Sequence, residues 1–400
     1  MTDNEKHIPA GYKLSPLGLI PEDWEVKRLG EVCTHFKSGN TITSKSIYEE
    51  GLYAVYGGNG LRGYTNTFTH DGNYILIGRQ GALCGNINYI EGKNYITEHA
   101  IAVQTNENIQ WLKYKLENWN LNRFSESSAQ PGLSVEKLVR YKLSIPTIQE
   151  QNKIAEILSL WDTAISKQTA LIEKLTVRKR GLMQQLLTGK KRLKGFEGEW
   201  KEVKLGEIAE RITRKNEEDN QNVVTISAQR GFVVQTEFFN KSIASETLDN
   251  YFLVYKDEFC YNKSYSNGYP MGVIKRMKTF DKAVVTTLYI CFALKRETII
   301  NIDFFEQYGD SGILNKELIK VANEGGRAHG LLNVTSSDFF NMHMRIPSID
   351  EQNAIASVLV NADKEIEIQK QKLMSLQELK KGLMQVLLTG KKRIKFNKHE

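Results

Sequence analysis

Two stretches of the chain repeat apolar residues in steps of four and three, the spacing that lines up side chains along one seam of a long helix. The first runs Ile154, Leu158, Trp161, Ile165, Gln168, Ile172, Leu175, Lys179, Leu182, Leu186. The second runs Ile355, Leu359, Ala362, Ile366, Gln369, Leu373, Leu376, Lys380, Leu383, Leu387. Gln and Lys interrupt both stripes at the same two steps, a device that fixes register in a paired seam. Upstream stand Pro146-Thr147 with Glu150 and Pro347-Ser348 with Glu351. That spacing predicts a capping box, the hydroxyl accepting from the third helical N–H and the carboxylate reaching back to the cap N–H. Thr188-Gly189 and Thr389-Gly390 supply left-handed C-caps, so each helix spans roughly 40 residues, about 60 Å. A shift of 201 residues aligns Ile145–Lys194 with Ile346–Lys395 without a gap, and half of those fifty positions are identical.

Neither helix buries its stripe alone. Each packs on its neighbouring domain, or the two pair antiparallel and relate the halves of the chain by a pseudo-twofold axis. The second arrangement is the favoured one, and it makes the coiled coil a spacer. The halves also share a lead-in, "DWEVKRLGEV" from Asp23 and "EWKEVKLGEI" from Glu199, offset by 176 residues. The second intervening region is therefore 25 residues longer, and the two interiors show little similarity. Strand-like runs such as "NYILIG", "AIAVQ", "VVTIS" and "KAVVTTLYICFAL" occur in them beside helical patches such as "NIQWLKYKLENW". The expected architecture is α+β: two α/β domains, at 23–146 and 199–347, separated by two long helices in an antiparallel coiled coil. Helical regions follow at 147–198 and 348–400, and 1–22 is a lead segment.

Composition sharpens this only a little. Four hundred residues favour two domains, and 40% apolar with 25% charged residues describes a globular chain. The start lacks an apolar leader and no run approaches eighteen apolar residues, so a cytoplasmic protein without a membrane span is expected. Cys33, Cys84, Cys260 and Cys291 are scattered, which favours reduced, buried thiols over disulfides or a zinc site. A net charge of +7 leans modestly toward a polyanionic partner.

Candidate chemistry clusters on Gly-rich turns: "YGGNGLRGYTN", "ILIGRQGALCG", "ISAQRGF" and "CYNKSYSNGYP". Arg62, Arg79, Gln80, Gln229, Arg230, Asn262 and Lys263 carry donors suited to base edges and phosphates, while Tyr64, Tyr261 and Tyr265 suit sugar or base. Each is also a common surface-turn residue. The runs "GKKRLK" and "GKKRIK" read equally as solvated helix exits or as phosphate or partner contacts. No Walker loop, HExxH or GxSxG is present, "IGRQG" lacks a phosphate-loop pattern, and His99 and His329 read as structural histidines. Neither a catalytic nor a metal site is assigned.

The paired "IP-x-I-x-EQN-x-IA" openings at Ile145 and Ile346, the paired "GLMQ-x-LLTGKKR" endings at Gly181 and Gly382, and "GFEGEWKEVKLGEI" at Gly195 resemble the specificity subunits of type I restriction-modification systems. The likeness spans nearly the whole chain. It implies two target-recognition domains, each reading half of a bipartite duplex DNA sequence, spaced by the coiled coil. It further implies two modification subunits that methylate adenine with S-adenosylmethionine, and restriction subunits that use ATP and Mg, with no cofactor in this chain. "YNKSYSNGYPMGVIKR" at Tyr261 resembles a recurrent stretch of such domains, which makes Asn262, Lys263, Ser264 and Arg276 candidates for DNA contact or local architecture. A stand-alone DNA-binding regulator and a single-chain nuclease are the rival readings.

Overall fold

The computed structural model describes residues 8–81, 83–125, 132–239, 248–266, 268–296, 300–322 and 332–394. The chain forms two compact units, Met1–Thr169 with Gln371–Glu400, and Ala170–Lys370. In the first, strand Glu25–Arg28 pairs antiparallel with Lys142–Ile145. Between them lies a four-stranded antiparallel sheet in the order Cys33–Ser38, Ala100–Thr105, Tyr74–Gly78, Ile87–Ile90. A smaller sheet orders Gly60–Thr65, Tyr53–Gly57, Tyr95–Ile96. Helix Ile109–Trp119 starts where the Asn108 side chain accepts from the Trp111 N–H at 2.8 Å. Ile75, Ile77, Ile101 and Val103 face it and share a core with Trp111, Ile154, Leu158, Leu387 and Leu388.

The second unit repeats this framework although its interior sequence differs. Lys201–Lys204 pairs with His343–Ile346, and the main sheet runs Ala209–Ile212, Ile290–Leu294, Phe259–Asn262, Val273–Arg276, the same order of connections. The outer pairs keep the same register: Glu25 opposite Ile145 becomes Lys201 opposite Ile346, by the two offsets seen in the sequence. Gly30 and Gly206 follow these strands, and a Cβ on either would lie 3.0 Å from Val139 or 3.2 Å from the Phe340 carbonyl. Helix Ile302–Asp310 is capped by Asn301 as its counterpart is by Asn108. Two further strand pairs, Val224–Ser227 with Gly231–Val234 and Phe252–Tyr255 with Lys282–Val285, flank the main sheet. The core is aromatic, Phe259, Tyr261, Phe292, Phe304, Phe305 and Phe339.

The long helices are Ile148–Leu186 and Ile349–Leu387, 39 residues each. Each contributes its first part to one unit and its last part to the other. In the first unit Ile154 and Leu158 meet Met384 and Leu387, and Asp162 accepts from Lys380 at 2.5 Å. Rising numbers on one segment meet falling numbers on the other, so the segments are antiparallel. The second unit mirrors this, with Met183 and Leu186 against Ile355 and Leu359, and Lys179 bridging Asp363 at 2.6 Å. No residue of either stripe is exposed. The interrupting lysines lay their stems along the seam and end on equivalent aspartates, at 12% and 14% side-chain exposure. Both readings of the stripe therefore hold at different places, since the helix ends also enter the domain cores.

At the C-caps, Gly189 and Gly390 take φ of 69° and 73°, and the Lys191 and Lys392 N–H groups donate back to Gln185 and Val386 carbonyls. The N-caps correct the sequence reading. Thr147 and Ser348 accept from the Glu150 and Glu351 N–H groups at a long 3.4 Å. The Glu carboxylates are taken up by arginines instead. Arg393 bonds Glu150 at 2.9 and 3.0 Å, Arg192 bonds Glu351 at 2.5 and 2.6 Å, and Glu150 also accepts from the Trp24 indole at 2.8 Å. The arginines of the basic runs are thus structural. Among the described residues no helix is long and apolar enough to cross a membrane.

Candidate nucleic-acid interface

In the first unit the glycines of separate turns lie against one another. A Cβ on Gly58 would sit 2.7 Å from the His99 carbonyl, one on Gly78 2.7 Å from the Gly58 carbonyl, and one on Gly39 2.3 Å from the Ile96 carbonyl. These glycines serve the approach of loop to loop, and that packing gathers Ser38, Arg62, Arg79, Gln80 and His99 into one cluster. Arg79 donates to the Ser38 hydroxyl at 3.2 Å, and His99 Nδ1 lies 3.4 Å from Gln80 Oε1. His99 is partly exposed, at 46% for its side chain, so it belongs to the cluster rather than to the core. Arg62 and Gln80 are exposed, and the Arg62 stem abuts Gly57. Tyr64 is half-buried and exchanges two backbone bonds with Tyr48, at 2.8 and 2.9 Å. Under the turn, the fully buried Thr97 hydroxyl has no hydrogen-bond partner among the described residues.

The second unit separates its candidates. Gln229 and Arg230 are exposed in the turn joining Val224–Ser227 to Gly231–Val234, where Ser227 Oγ accepts from the Arg230 N–H at 3.2 Å. Tyr265 is 59% exposed, and Lys263 and Ser264 are half-buried beside it. Burial, and then the charge of Arg211, hold the Lys263 ammonium below the usual lysine range. Tyr261, Asn262 and Arg276 are architectural. Tyr261 is fully buried, stacks on Phe339 and donates to the Met271 carbonyl at 2.8 Å. Asn262 donates to the Ile226 carbonyl at 3.2 Å and accepts from the Ser264 N–H at 3.0 Å, tying the hairpin to the sheet. Arg276 spends its guanidinium on Asp257, Asp303 and Glu306, leaving 12% of its side chain exposed. His329 lies outside the described residues.

The "EQN" triplets have a structural role that residue type alone did not reveal. Gln151 and Gln352, both fully buried, accept from the Asn108 and Asn301 N–H groups at 3.0 and 2.9 Å and donate to the Pro146 and Pro347 carbonyls at 3.0 and 2.9 Å. Asn152 and Asn353 accept from the same two cap asparagines, at 2.8 and 2.7 Å. Each long helix thus holds the short helix of its domain by the same two bonds, while the third steadies the glutamine on the chain leading into its own helix. The exact repetition of the triplet was the available signal. Cys260 and Cys291 face each other across adjacent strands, Sγ atoms 3.2 Å apart, as free buried thiols. Among the described residues no three His, Cys, Asp or Glu side chains cluster as metal ligands would.

A framework built twice, with polar and cationic loops presented at the sheet ends, suits a ligand read in two parts. Residues 21–177 match the family of the type I restriction modification DNA specificity domain. The chain is 44% identical over 166 residues to the specificity subunit of the type I restriction enzyme EcoprrI of Escherichia coli, covering 40% of this chain and 41% of that one. It is 25% identical to the specificity subunit of the type I restriction enzyme MjaVIII of Methanocaldococcus jannaschii, over 94% of each chain. The chain is thus similar in sequence to type I specificity subunits. The crystal structure of the type I restriction-modification S subunit from M. genitalium shares the fold, with a TM-score of 0.58 at 16% identity, over 96% of this chain and 99% of that one. Of the residues that the sequence singles out, Arg62, Arg79 and Gln80, and Gln229, Arg230, Lys263, Ser264 and Tyr265, are at least partly accessible.

Proposed function

We propose that the chain is the DNA-recognition subunit of a type I restriction-modification complex, each of its units reading one half of a bipartite duplex target. It binds two modification subunits, which carry S-adenosylmethionine and methylate adenine, and the complex recruits restriction subunits that use ATP and Mg. The chain itself holds no cofactor and performs no chemistry, and it works in the cytoplasm. The observation that carries this reading is the repeated framework, identical in strand order and outer register, around loops whose donors differ between the units. A partner that grips the duplex away from the reaction is what a base-flipping methyltransferase needs.

The test is exchange of one recognition domain. Replacing Trp24–Ser144 by the corresponding segment of a relative, in the assembled methyltransferase, should change one half of the methylated sequence and leave the other intact. A folded chimera that alters both halves, or a wild-type complex that prefers no bipartite duplex over random sequence, refutes the reading. Cleavage of DNA by the chain alone with magnesium would support a nuclease instead.

A further inference from the structure

The dissimilar interiors of the two units share one cation. In the first unit, strand Tyr74–Gly78 sets Ile77 opposite Ile101 and Ile75 opposite Val103. In the second, strand Phe259–Asn262 sets Tyr261 opposite Ile290 and Phe259 opposite Phe292. Ile75, Ile77, Phe259 and Tyr261 all face the helix-side core, so the two strands correspond residue by residue. Two positions beyond Ile77 stands Arg79, and two beyond Tyr261 stands Lys263. The correspondence extends to the chain returning from the far side of each domain. The Leu133 N–H donates to the Arg79 carbonyl at 2.9 Å, and the Leu332 N–H to the Lys263 carbonyl at 3.1 Å. Both side chains are half-buried, and neither forms an ion pair with a carboxylate among the described residues. Arg79 bonds a neutral hydroxyl, and the charged neighbour of Lys263 is another cation, Arg211. A partly desolvated cation without a counter-ion is costly unless an anion arrives from outside.

We propose that Arg79 and Lys263 are equivalent phosphate anchors, one per unit, each gripping a backbone phosphate of duplex DNA beside its half-site and setting register without reading sequence. This rests on the DNA-recognition reading above. Arg62, Gln80, Gln229 and Arg230, which do not correspond between the units, are left as the residues that distinguish one half-site from the other.

The experiment is a salt titration of duplex binding by the assembled methyltransferase carrying Arg79→Gln, Lys263→Gln or both. One lost phosphate contact lowers the slope of log affinity against log salt by about 0.9, so a fourfold rise in salt costs each single variant about 3.5-fold less affinity than it costs wild type. The double variant should lose twice that slope, and cognate and random duplexes should weaken alike. The methylated sequence should not change. Charge-keeping Arg79→Lys and Lys263→Arg should retain the full slope, which keeps the test valid if a glutamine variant folds poorly. An unchanged slope in the glutamine variants, a lost slope in the charge-keeping ones, or an altered methylated sequence overturns the proposal. Absence of salt-dependent selective binding by the wild-type complex would instead sink the underlying reading, so the two failures are distinguishable.

Discussion

Lys115 is 4% exposed on helix Ile109–Trp119, with its ammonium nitrogen 2.6 Å from the Leu388 carbonyl and 3.1 Å from the Ser144 hydroxyl. It borders a cavity of about 570 Å³ lined by Tyr12, Leu17, Ile20, Trp119 and Leu143. Burial lowers its pKa from the usual 10.5 to about 7. Between those two values the unfolded chain holds a proton that the folded chain has released. Stability therefore rises with pH across that window, by up to about 1.4 kcal/mol per pH unit, while below pH 7 the full cost of burying the charge is present. Integrated from pH 7 to 9 the gain is about 2 kcal/mol. Lys115→Met fills similar space and cannot titrate, but it strands the Leu388 carbonyl and the Ser144 hydroxyl at a pH-independent cost of about 1–3 kcal/mol. Urea unfolding of both proteins at pH 7, 8 and 9 reads the difference directly. The stability of wild type relative to the variant should climb by about 2 kcal/mol over that range. Parallel pH profiles would mean that Lys115 stays charged in the fold and that burial does not control it.

Gln151→Ala and Gln352→Ala should each destabilise by about 1–3 kcal/mol, because each strands a half-buried N–H and a buried carbonyl; equal shifts in melting temperature would also support the equivalence of the units, and a shift near zero in either would refute the role. Arg393→Ala leaves Glu150, whose side chain is 1% exposed, without its cation, and should cost about 3–5 kcal/mol, whereas Asp23→Asn, at 47% exposure, should cost about 1 kcal/mol or less by the same denaturation measurement. Gly58→Ala drives a methyl to 2.7 Å from the His99 carbonyl and should reduce duplex binding by the assembled complex. Binding indistinguishable from wild type would show that the turn has room to move.

The long helices were legible because a seam imposes its spacing on the sequence, and because Glu150 and Glu351 recur at the same distance from a hydroxyl. The carboxylates' true partners were not, since Arg192 and Arg393 lie over 150 residues from them and a local motif carries no information about distant chain. The shared sheet of the two interiors was hidden for a different reason. Strand order is written in backbone hydrogen bonds and in which face is apolar, so Ile75 and Ile77 build the same layer as Phe259 and Tyr261. Residue type left Arg276 open between DNA contact and local architecture because a donor's chemistry does not name its acceptor, and in the fold its guanidinium meets three carboxylates.

The glycine packing at Gly39, Gly58 and Gly78 divides the first unit's loops into two classes of position, those without room for a side chain and those with it. Where a Cβ has no space, a substitution is accommodated only by moving the loop path. Arg62 and Gln80 project from the same loops into solvent, free of that constraint, so their identities can turn over one substitution at a time without disturbing the fold.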